Sequence, residues 1–309
     1  MIPSSAVTTQ THQSGVSHQS AGVRILCIVG PTASGKSSRA VTEALAHDGE
    51  VVSVDSRQVY RGLDIGTEKI TAEEMCGIPH HLIDIREPHE TYSAGDFVTD
   101  ATRLIKDVSA RGKLPILVGG TNFYFHALLH GLPMGIDANP LLREELKTFS
   151  TEELYARVRQ ADARRAAELD PQNRRRLIRA LEIIESLGTV PQRTTTTPLS
   201  GTRLNLVPEW IVINPAREEL RAKIDARLES AFARGLIDEV RTVRDMVGDV
   251  RLNELGLEYK IVGKFLNLEV GLPSGSPTSK LLFPALSAKL WQYARHQKAW
   301  LRKLGHVMS

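Results

Sequence analysis

The segment Gly30–Ser37, GPTASGKS, combines the residue types and the spacing that bind a phosphate group. Its two glycines let the backbone wrap closely around an anion, and the N–H groups at the start of the following helix point at it. Lys36 adds a positive charge, and the Ser37 hydroxyl can reach a bound Mg²⁺ ion. The predicted phosphate- or diphosphate-binding residues are Gly30, Pro31, Thr32, Ala33, Ser34, Gly35, Lys36 and Ser37, with Ser37 as the predicted metal ligand.

The flanks of this segment favour a phosphate-binding loop over an ordinary glycine-rich turn. Val23–Val29 is apolar except for Arg24, as expected of a buried strand, and residues 37–46 are good helix formers without Gly or Pro. A strand, a glycine-rich turn and a helix form the context that such a loop requires. The loop does not identify the molecule that carries the phosphate.

Two further predicted strands end in polar residues that could do chemistry. Val51–Ser56 delivers Asp55 at its carboxyl end, and Leu114–Gly120 is followed by Thr121. Ligands of open α/β sheets bind at the edge where the parallel strands end. We therefore expect Asp55 to face the same crevice as the phosphate-binding loop and to be a candidate base, followed by a polar loop, residues 56–60, that contacts a ligand.

The repeated strand–helix units predict an α/β fold with a parallel sheet flanked by helices. A third strand is predicted at His80–Ile85, and the sheet is expected to resume at Trp210–Asn214. His80 and His81 are adjacent, so their side chains would point to opposite faces of a strand. This pair is therefore interpreted as a strand edge and not as a metal site.

Residues 136–205 predict an all-helical, arginine-rich insertion in the sheet. Helices are expected to start at Asn139, at Ser150 and at Asp170–Pro171. Several arginines, including Arg174–Arg179, lie at the start of the third helix, where positive charge opposes the helix dipole. Asp170 is the one acid close to them in the sequence, which favours an anionic partner for this surface.

Length and composition limit the organisation of the chain. Its 309 residues fit two domains of about 150 residues, or one large domain with an insertion. We predict a disordered tail (1–22), a core formed by 23–135 and 206–309 with C-terminal helices, and the helical insertion (136–205). The tail has no Arg or Lys and no apolar stretch, unlike a secretory signal or a mitochondrial transit peptide.

The composition of the chain also indicates the class of protein. Hydrophobic residues make up 41% and charged residues 24%, as in soluble globular proteins, and no apolar run approaches the roughly 20 residues that span a bilayer. The two cysteines form no CxxC pair, so a zinc site or disulfide framework is not expected. These features predict a cytoplasmic protein without a membrane partner.

Seven motifs together resemble the tRNA dimethylallyltransferase family, also called tRNA isopentenyltransferases. They are GPTASGKS, SVDSRQVYRGLDIGTEK, HHLIDI, YSAGDF, LPILVGGTNFY, NRRRLIRALEI and YARHQKAWLRK, running in order from about Val23 to Lys303. The resemblance implies a P-loop NTPase-like fold and transfer of a dimethylallyl group from dimethylallyl diphosphate to N6 of an adenine in tRNA. That adenine is position 37, just 3′ of the anticodon. No zinc finger follows the motifs, which favours a bacterial-type enzyme.

The resemblance also implies roles for individual residues. The phosphate-binding loop would hold the leaving diphosphate, with Mg²⁺ as the expected ion, Asp55 would be the general base, and Thr121 would hydrogen-bond the reacting region. The implied contacts with the tRNA anticodon stem-loop are Asp55, Ser56, Arg57, Gln58, Thr121, Arg143, Arg175, Arg176, Leu177, Ile178 and Arg179. The expected assembly is a monomer.

One departure and three alternatives accompany this interpretation. The family usually has GY(K/R)(E/Q) where this chain has LGLEYK, so Lys260 is a candidate replacement for a basic residue that contacts diphosphate. An adenylate isopentenyltransferase is the nearest alternative, although free nucleotide needs no arginine-rich insertion. A P-loop kinase or ATPase and an RNA-binding module with a vestigial loop are the others.

Overall fold

A parallel five-stranded sheet organises the protein, whose structure, a computed structural model, describes residues 22–132, 139–191, 204–269 and 278–305. The strands are β1 (Val23–Val29), β2 (Gly49–Ser53), β3 (His80–His81), β4 (Leu114–Gly119) and β5 (Leu206–Val212). Their order is β3-β2-β4-β1-β5, and every neighbouring pair is parallel. The predicted α/β fold is therefore confirmed. The predicted tail lies outside the described residues, apart from Gly22.

Helices flank the sheet and continue beyond it. They are α1 (Lys36–His47), α2 (Ala94–Ala110), α3 (Asn122–His130), α4 (Pro140–Lys147), α5 (Thr151–Ala161), α6 (Ala163–Glu168), α7 (Arg174–Leu187), α8 (Arg217–Ala233), α9 (Leu236–Leu252), α10 (Leu257–Glu269) and α11 (Thr278–Gly305). The backbone of α9 is kinked at Gly248, where φ is 71° and ψ is 170°. Ser93 caps α2, and Asn139 and Ser150 cap α4 and α5 at the helix starts predicted there.

The outer strands differ from their predicted bounds. β3 contains two residues instead of six, because Leu82 and Asp84 adopt left-handed backbone conformations, with φ of 62° and 54°, that a strand cannot include. β5 begins at Leu206 and not at Trp210. It lies at the edge of the sheet, where Pro208 can be accommodated because one side of the backbone needs no partner.

Two helices start later than predicted. The carboxylate of Asp170 accepts a hydrogen bond from the Gln172 backbone N–H (3.0 Å), so residues 170–173 form a turn. Helix α7 begins only at Arg174, with the side chain of Asn173 as its cap. Asn214 and Pro215 are residue types typical of a helix start, but helix α8 has Ala216 at its N-cap. The positions of both helices in the chain are otherwise as expected.

Three hydrophobic clusters hold these elements together. Alternate residues of β1 point to opposite faces of the sheet: Cys27 packs in the large cluster formed with α2, α3 and α8–α11, whereas Ile28 packs in the cluster beneath α1. Helices α4–α7 enclose a separate cluster that includes Leu154 and Leu177. The domain boundaries stay a prediction. None of the described helices has the length and apolarity needed to cross a membrane.

Candidate active site

The loop between β1 and α1 leaves its backbone available to an anion. A Cβ on Gly30 would lie 2.6 Å from the Ile213 carbonyl oxygen, so this close approach requires glycine. Gly35 occupies the N-cap of α1 with φ of 83°, and no side chain in the described ranges forms a capping hydrogen bond there. The first N–H groups of α1 therefore point toward the loop without a side-chain acceptor.

Two polar side chains of the same loop are shielded from solvent, Ser34 fully and Lys36 in part. The Ser34 hydroxyl is buried and finds no hydrogen-bond partner among the described residues. The Lys36 ammonium donates to the Pro31 carbonyl (2.7 Å). Burial lowers the pKa of Lys36 to about 8; the Asp55 carboxylate opposes this shift and the Arg227 cation adds to it. Because burial destabilises the Lys36 cation, an anion that binds beside it stabilises the charged form strongly.

A cavity of about 590 Å³ opens above the phosphate-binding loop. Its walls include residues 32–38 of the loop and α1, Asp55 and Gln58 after β2, and Arg227 of α8. Gly119 and Gly120, at the end of β4, also line the cavity. The loop and the candidate base therefore face one cavity, as the sequence predicts.

The ends of β2 and β4 lie close together, and hydrogen bonds link Thr121 to the two residues that flank Asp55. A Cβ on Gly119 would lie 2.0 Å from the Val54 carbonyl oxygen, which only a glycine permits. The Thr121 N–H donates to that same carbonyl (3.2 Å), and the Thr121 hydroxyl accepts from the Ser56 N–H (3.1 Å). The Asp55 carboxylate accepts from the Arg57 N–H (2.8 Å). The catalytic roles of both side chains stay predictions.

Arg57 and Gln58, in the loop that follows Asp55, form hydrogen bonds within the protein. The Gln58 amide accepts from the Ser53 hydroxyl (3.3 Å) and donates to the Thr67 and Glu68 carbonyls (3.3 Å each). The Arg57 guanidinium donates to the Glu254 carbonyl. Both side chains thus fix the loop after β2 to its surroundings, whatever contact with tRNA they also make.

Arg227 of α8 is a residue of this cavity that sequence reasoning missed. Its guanidinium donates to the Thr32 hydroxyl and to the Gly66 carbonyl (3.1 Å). It also forms ion pairs with Glu68 (3.1 Å) and Glu258 (3.2 Å). In the sequence it is one of many charges in an amphipathic helix, so no local signal marks it.

Lys260 lies outside the cavity, so its role as a contact for diphosphate stays a prediction. Its side chain is exposed, and it is not among the residues that line the cavity. Glu258 of the same LGLEYK segment instead faces Arg227. Burial raises the pKa of Glu258, and the Arg227 cation opposes that shift. The Arg227 guanidinium, and not the Lys260 ammonium, therefore lies at the cavity beside Glu258.

The loop that carries Gly66 is anchored from outside the sheet. The Glu239 carboxylate of α9 accepts hydrogen bonds from the backbone N–H groups of residues 64, 65 and 66, at 2.9, 2.7 and 2.9 Å. The Tyr259 hydroxyl donates to the same carboxylate (2.6 Å). The buried Lys69 ammonium donates to the Tyr60 carbonyl (2.9 Å) and forms ion pairs with Asp64 and Asp84. These contacts fix the segment 64–69, of which residues 67–69 line the cavity.

Glu168 and Glu182 neutralise part of the arginine cluster. Glu182 of α7 is 1% exposed and pairs with Arg143 (2.7 Å) and Arg179 (3.2 Å). Arg164 and Arg165 both pair with Glu168. The expectation that Asp170 is the one nearby acid is therefore wrong. Glu168 and Glu182 lie three or four residues along the same helix from Arg164, Arg165 and Arg179, and packing of α4 on α7 adds Arg143 to Glu182.

The implied tRNA contacts on α7 separate into exposed and buried residues. Arg175 and Arg176 are exposed, and Ile178 is half-buried. Leu177 is 0% exposed and belongs to the hydrophobic cluster of α4–α7, so the structure corrects the expectation that its side chain touches tRNA. Arg174 donates to the Phe149 and Lys147 carbonyls at the end of α4, which is a structural role.

The comparison with known proteins assigns the family. A sequence profile described as IPP transferase matches residues 58–304. The chain belongs to the IPP transferase family. A relative in the family, the tRNA dimethylallyltransferase of Halalkalibacterium halodurans, is 39% identical over 291 residues, which cover 92% of this chain and 90% of the relative.

Solved structures of the family agree with this assignment. The full-length tRNA isopentenylpyrophosphate transferase from Bacillus halodurans is 38% identical, with a TM-score of 0.62 over 91% of this chain and 87% of that one. A eukaryotic dimethylallyltransferase, described as acting on tRNA, is 26% identical, with a TM-score of 0.75 over 90% of this chain and 69% of that one. The fold and the family resemblance predicted from the motifs are thus confirmed.

The residues at the cavity fit a Mg²⁺ ion that is bound mainly through a substrate. Ser37 and Asp55 both line the cavity and offer a hydroxyl and a carboxylate oxygen. Within the described ranges, no group of three or more His, Cys, Asp or Glu residues could form an all-protein metal site. Mg²⁺ commonly uses one or two protein oxygens, substrate phosphates and water, which this donor set matches.

Proposed function

We propose that this IPP transferase family member transfers a dimethylallyl group from dimethylallyl diphosphate to N6 of the adenine at position 37 of tRNA. One observation carries the proposal: the phosphate-binding loop and the Asp55 carboxylate face the same cavity, with Thr121 bonded to the Asp55 loop. A loop for a leaving diphosphate and a base for an amino group are the two requirements of this reaction.

The reaction joins the adenine N6 to C1 of the dimethylallyl group. The C1–O bond breaks, the diphosphate leaves with the electron pair, and the N6 proton passes to the Asp55 carboxylate. The loop N–H groups, Lys36 and Arg227 stabilise the charge that grows on the leaving diphosphate. When bound, Mg²⁺ held by the Ser37 hydroxyl and the diphosphate would supply further positive charge.

Thr121 orients the acceptor base in this scheme. Its hydroxyl oxygen accepts a hydrogen bond from the Ser56 N–H (3.1 Å), and its proton makes only a long contact with the Ser56 hydroxyl (3.5 Å), which an acceptor atom of the adenine can replace. A donor fixed beside Asp55 holds the adenine so that N6 lies near both the base and the prenyl carbon. Such positioning supplies a large part of the rate in a two-substrate reaction.

The exposed basic residues supply contacts for the tRNA. Arg175 and Arg176 are exposed on α7, and Arg295 and His296 are exposed on α11. The adenine has to leave its stack to enter the cavity, which costs a few kcal/mol. Electrostatic contacts with tRNA phosphates offset part of this cost and weaken with added salt.

A labelled-substrate experiment tests the proposal. The protein is incubated with Mg²⁺ and dimethylallyl diphosphate labelled in the prenyl group, with unmodified tRNA, AMP or ATP as the acceptor. We expect label in tRNA, and none in a matched tRNA with guanine in place of the target adenine. Label in AMP alone would identify an adenylate isopentenyltransferase, and loss of the ATP γ-phosphate without prenyl transfer would identify a kinase or ATPase. Binding of tRNA without either reaction would favour an RNA-binding module.

We also propose that the protein acts as a cytoplasmic monomer whose helical insertion (136–205) contacts the anticodon stem-loop. The separate hydrophobic cluster of α4–α7 supports the insertion as a unit. Gel filtration with light scattering, with and without tRNA, tests the monomer: a mass of twice the chain in the free protein would contradict it.

A further inference from the structure

Gln297 of α11 connects two loops of the cavity through one buried amide. Its side chain is 4% exposed. The amide oxygen accepts a hydrogen bond from the Thr32 N–H (2.8 Å), and the amide nitrogen donates to the Gly120 carbonyl (3.0 Å). Thr32 belongs to the phosphate-binding loop, whereas Gly120 directly precedes Thr121. The bridge therefore spans the two halves of the proposed site.

The surroundings leave this amide little freedom. A Cβ on Gly120 would lie 2.5 Å from the Gln297 amide nitrogen, so the bridge requires glycine at that position. The Thr32 side chain is held as well, because its hydroxyl accepts a hydrogen bond from Arg227. A buried amide with both of its ends bonded is costly to displace, since each orphaned partner would lose its hydrogen bond.

We propose that Gln297 is a positioning residue, which sets the separation between the phosphate-binding loop and the Thr121 end of β4. This inference rests on the proposed function, because that separation fixes how far the diphosphate-bound prenyl carbon lies from the adenine N6. Gln297 touches neither substrate in this scheme. Its effect reaches the reaction through the Thr32 and Gly120 backbones.

The expected signature is a loss of rate with little loss of diphosphate binding. In Gln297→Ala the N–H groups at the start of α1 and the Lys36 ammonium still face the diphosphate. We expect its dissociation constant to change by no more than about threefold. The transfer rate at saturating substrates is expected to fall about 10- to 100-fold, as it does when reacting groups are displaced by about 1 Å.

The substitution Gly120→Ala disrupts the same bridge at its Gly120 end. Its added methyl group displaces the Gln297 amide, so we expect a similar loss of rate. The double variant Gly120→Ala/Gln297→Ala relieves the clash but cannot restore the bridge. A positioning role therefore predicts that the double variant is as slow as either single variant, whereas a packing role predicts that it recovers toward the wild-type rate.

The experiment measures single-turnover transfer to tRNA, the affinity for inorganic diphosphate with Mg²⁺, and thermal unfolding. Gln292→Ala is the matched control, because Gln292 is an exposed glutamine on the same helix, and it is expected to behave as wild type. Gln297→Ala with the wild-type rate would overturn the inference alone. So would a rate and a diphosphate affinity that fall by the same factor, or recovery in the double variant. A wild-type protein that transfers no label would overturn the proposed function and this inference with it.

Discussion

Replacing Glu182 with glutamine tests whether Arg143 and Arg179 hold the helical insertion together. The buried carboxylate accepts from Arg143 at 2.7 and 3.0 Å, from Arg179 at 3.2 Å and from the Asn139 backbone N–H at 3.0 Å. It thereby joins the start of α4 to the middle of α7. Glutamine keeps the size of the side chain and one acceptor but removes the negative charge. We therefore expect Glu182→Gln to lower the stability of the insertion.

The magnitude follows from the partners and their exposure. A hydrogen bond to a charged group contributes about 1.5–3 kcal/mol. The two arginine side chains are 44% and 36% exposed, so solvent screening reduces their share. The expected net loss in the free energy of unfolding is then about 1–2 kcal/mol, because the glutamine oxygen retains part of the interaction. At about 2–4 °C for each kcal/mol, the melting temperature should fall by about 2–8 °C.

Thermal unfolding followed by circular dichroism measures this effect, and Glu185→Gln is the matched control because Glu185 is exposed on the same helix. Burial is the largest influence on Glu182 and opposes its ionisation, but Arg143, the Asn139 N–H and Arg179 together outweigh it, so the pKa is lowered from 4.5. The stabilisation is therefore present above pH 4.5 and is lost as the pH falls through the lowered pKa. The difference in melting temperature between wild type and Glu182→Gln should shrink over that range. Equal melting temperatures at pH 7 would refute the assignment.

The exposed arginines of α7, unlike the paired Arg143 and Arg179, are expected to affect tRNA binding and not stability. Arg175→Ala/Arg176→Ala removes two charges that lie on the surface, so we expect a weaker affinity for tRNA and little change in the melting temperature. Each lost phosphate contact should also reduce the slope of affinity against salt by about 1. Filter binding over a salt series measures both quantities. An unchanged salt slope would show that this face does not contact the tRNA backbone.

Four further substitutions address the cavity and its surroundings. Asp55→Asn should reduce single-turnover transfer about 10²- to 10⁴-fold and leave tRNA affinity unchanged, because it removes the proposed base; a normal rate would exclude that role. Arg227→Ala should raise the KM for dimethylallyl diphosphate about tenfold, whereas Lys260→Ala should not, and the reverse order would restore the role for Lys260. Gly119→Ala places a methyl group 2.0 Å from the Val54 carbonyl oxygen and should cost about 1–3 kcal/mol of stability, measured by denaturant unfolding; unchanged stability would show that the strand ends can move apart.

The sequence predicts the sheet and the first half of the site because their signals are local. The apolar run of β1, the spacing of the phosphate-binding loop and the polar residue after each of two strands all lie within a few residues of one another. The rule that parallel strands end at one edge then brings Asp55 and Thr121 together without any long-range information. Where local signals conflict, as in the two-residue β3, the left-handed backbone at Leu82 ends the strand.

The remaining contacts of the site could not be predicted, because each joins residues that are far apart in the chain. Glu239 looks like any acid of an amphipathic helix until its carboxylate is seen on three backbone N–H groups of the loop at 64–66. Arg227 and Gln297 contact the phosphate-binding loop from helices that follow the sheet. Glu182 is a similar case. Nothing in the sequence of α7 distinguishes it from other acids, and only packing against α4 makes it the acid that neutralises Arg143.

The charge of the cavity predicts that diphosphate binding needs a divalent cation. Four cationic side chains line it: Lys36, Lys69, Arg227 and Arg234. Three carboxylates also line it: Asp55, Glu68 and Glu74. A prenyl diphosphate carries about three negative charges at neutral pH, since the terminal phosphate has a second pKa near 6. The protein alone therefore neutralises only part of the ligand, and Mg²⁺ at the Ser37 hydroxyl would complete it. We expect removal of Mg²⁺ with EDTA to weaken the affinity for dimethylallyl diphosphate at least about tenfold in calorimetry without tRNA. Sodium chloride at matched ionic strength is the control and should not restore binding. Equal affinity with EDTA and with Mg²⁺ would mean that Lys36 and Arg227 suffice for the diphosphate.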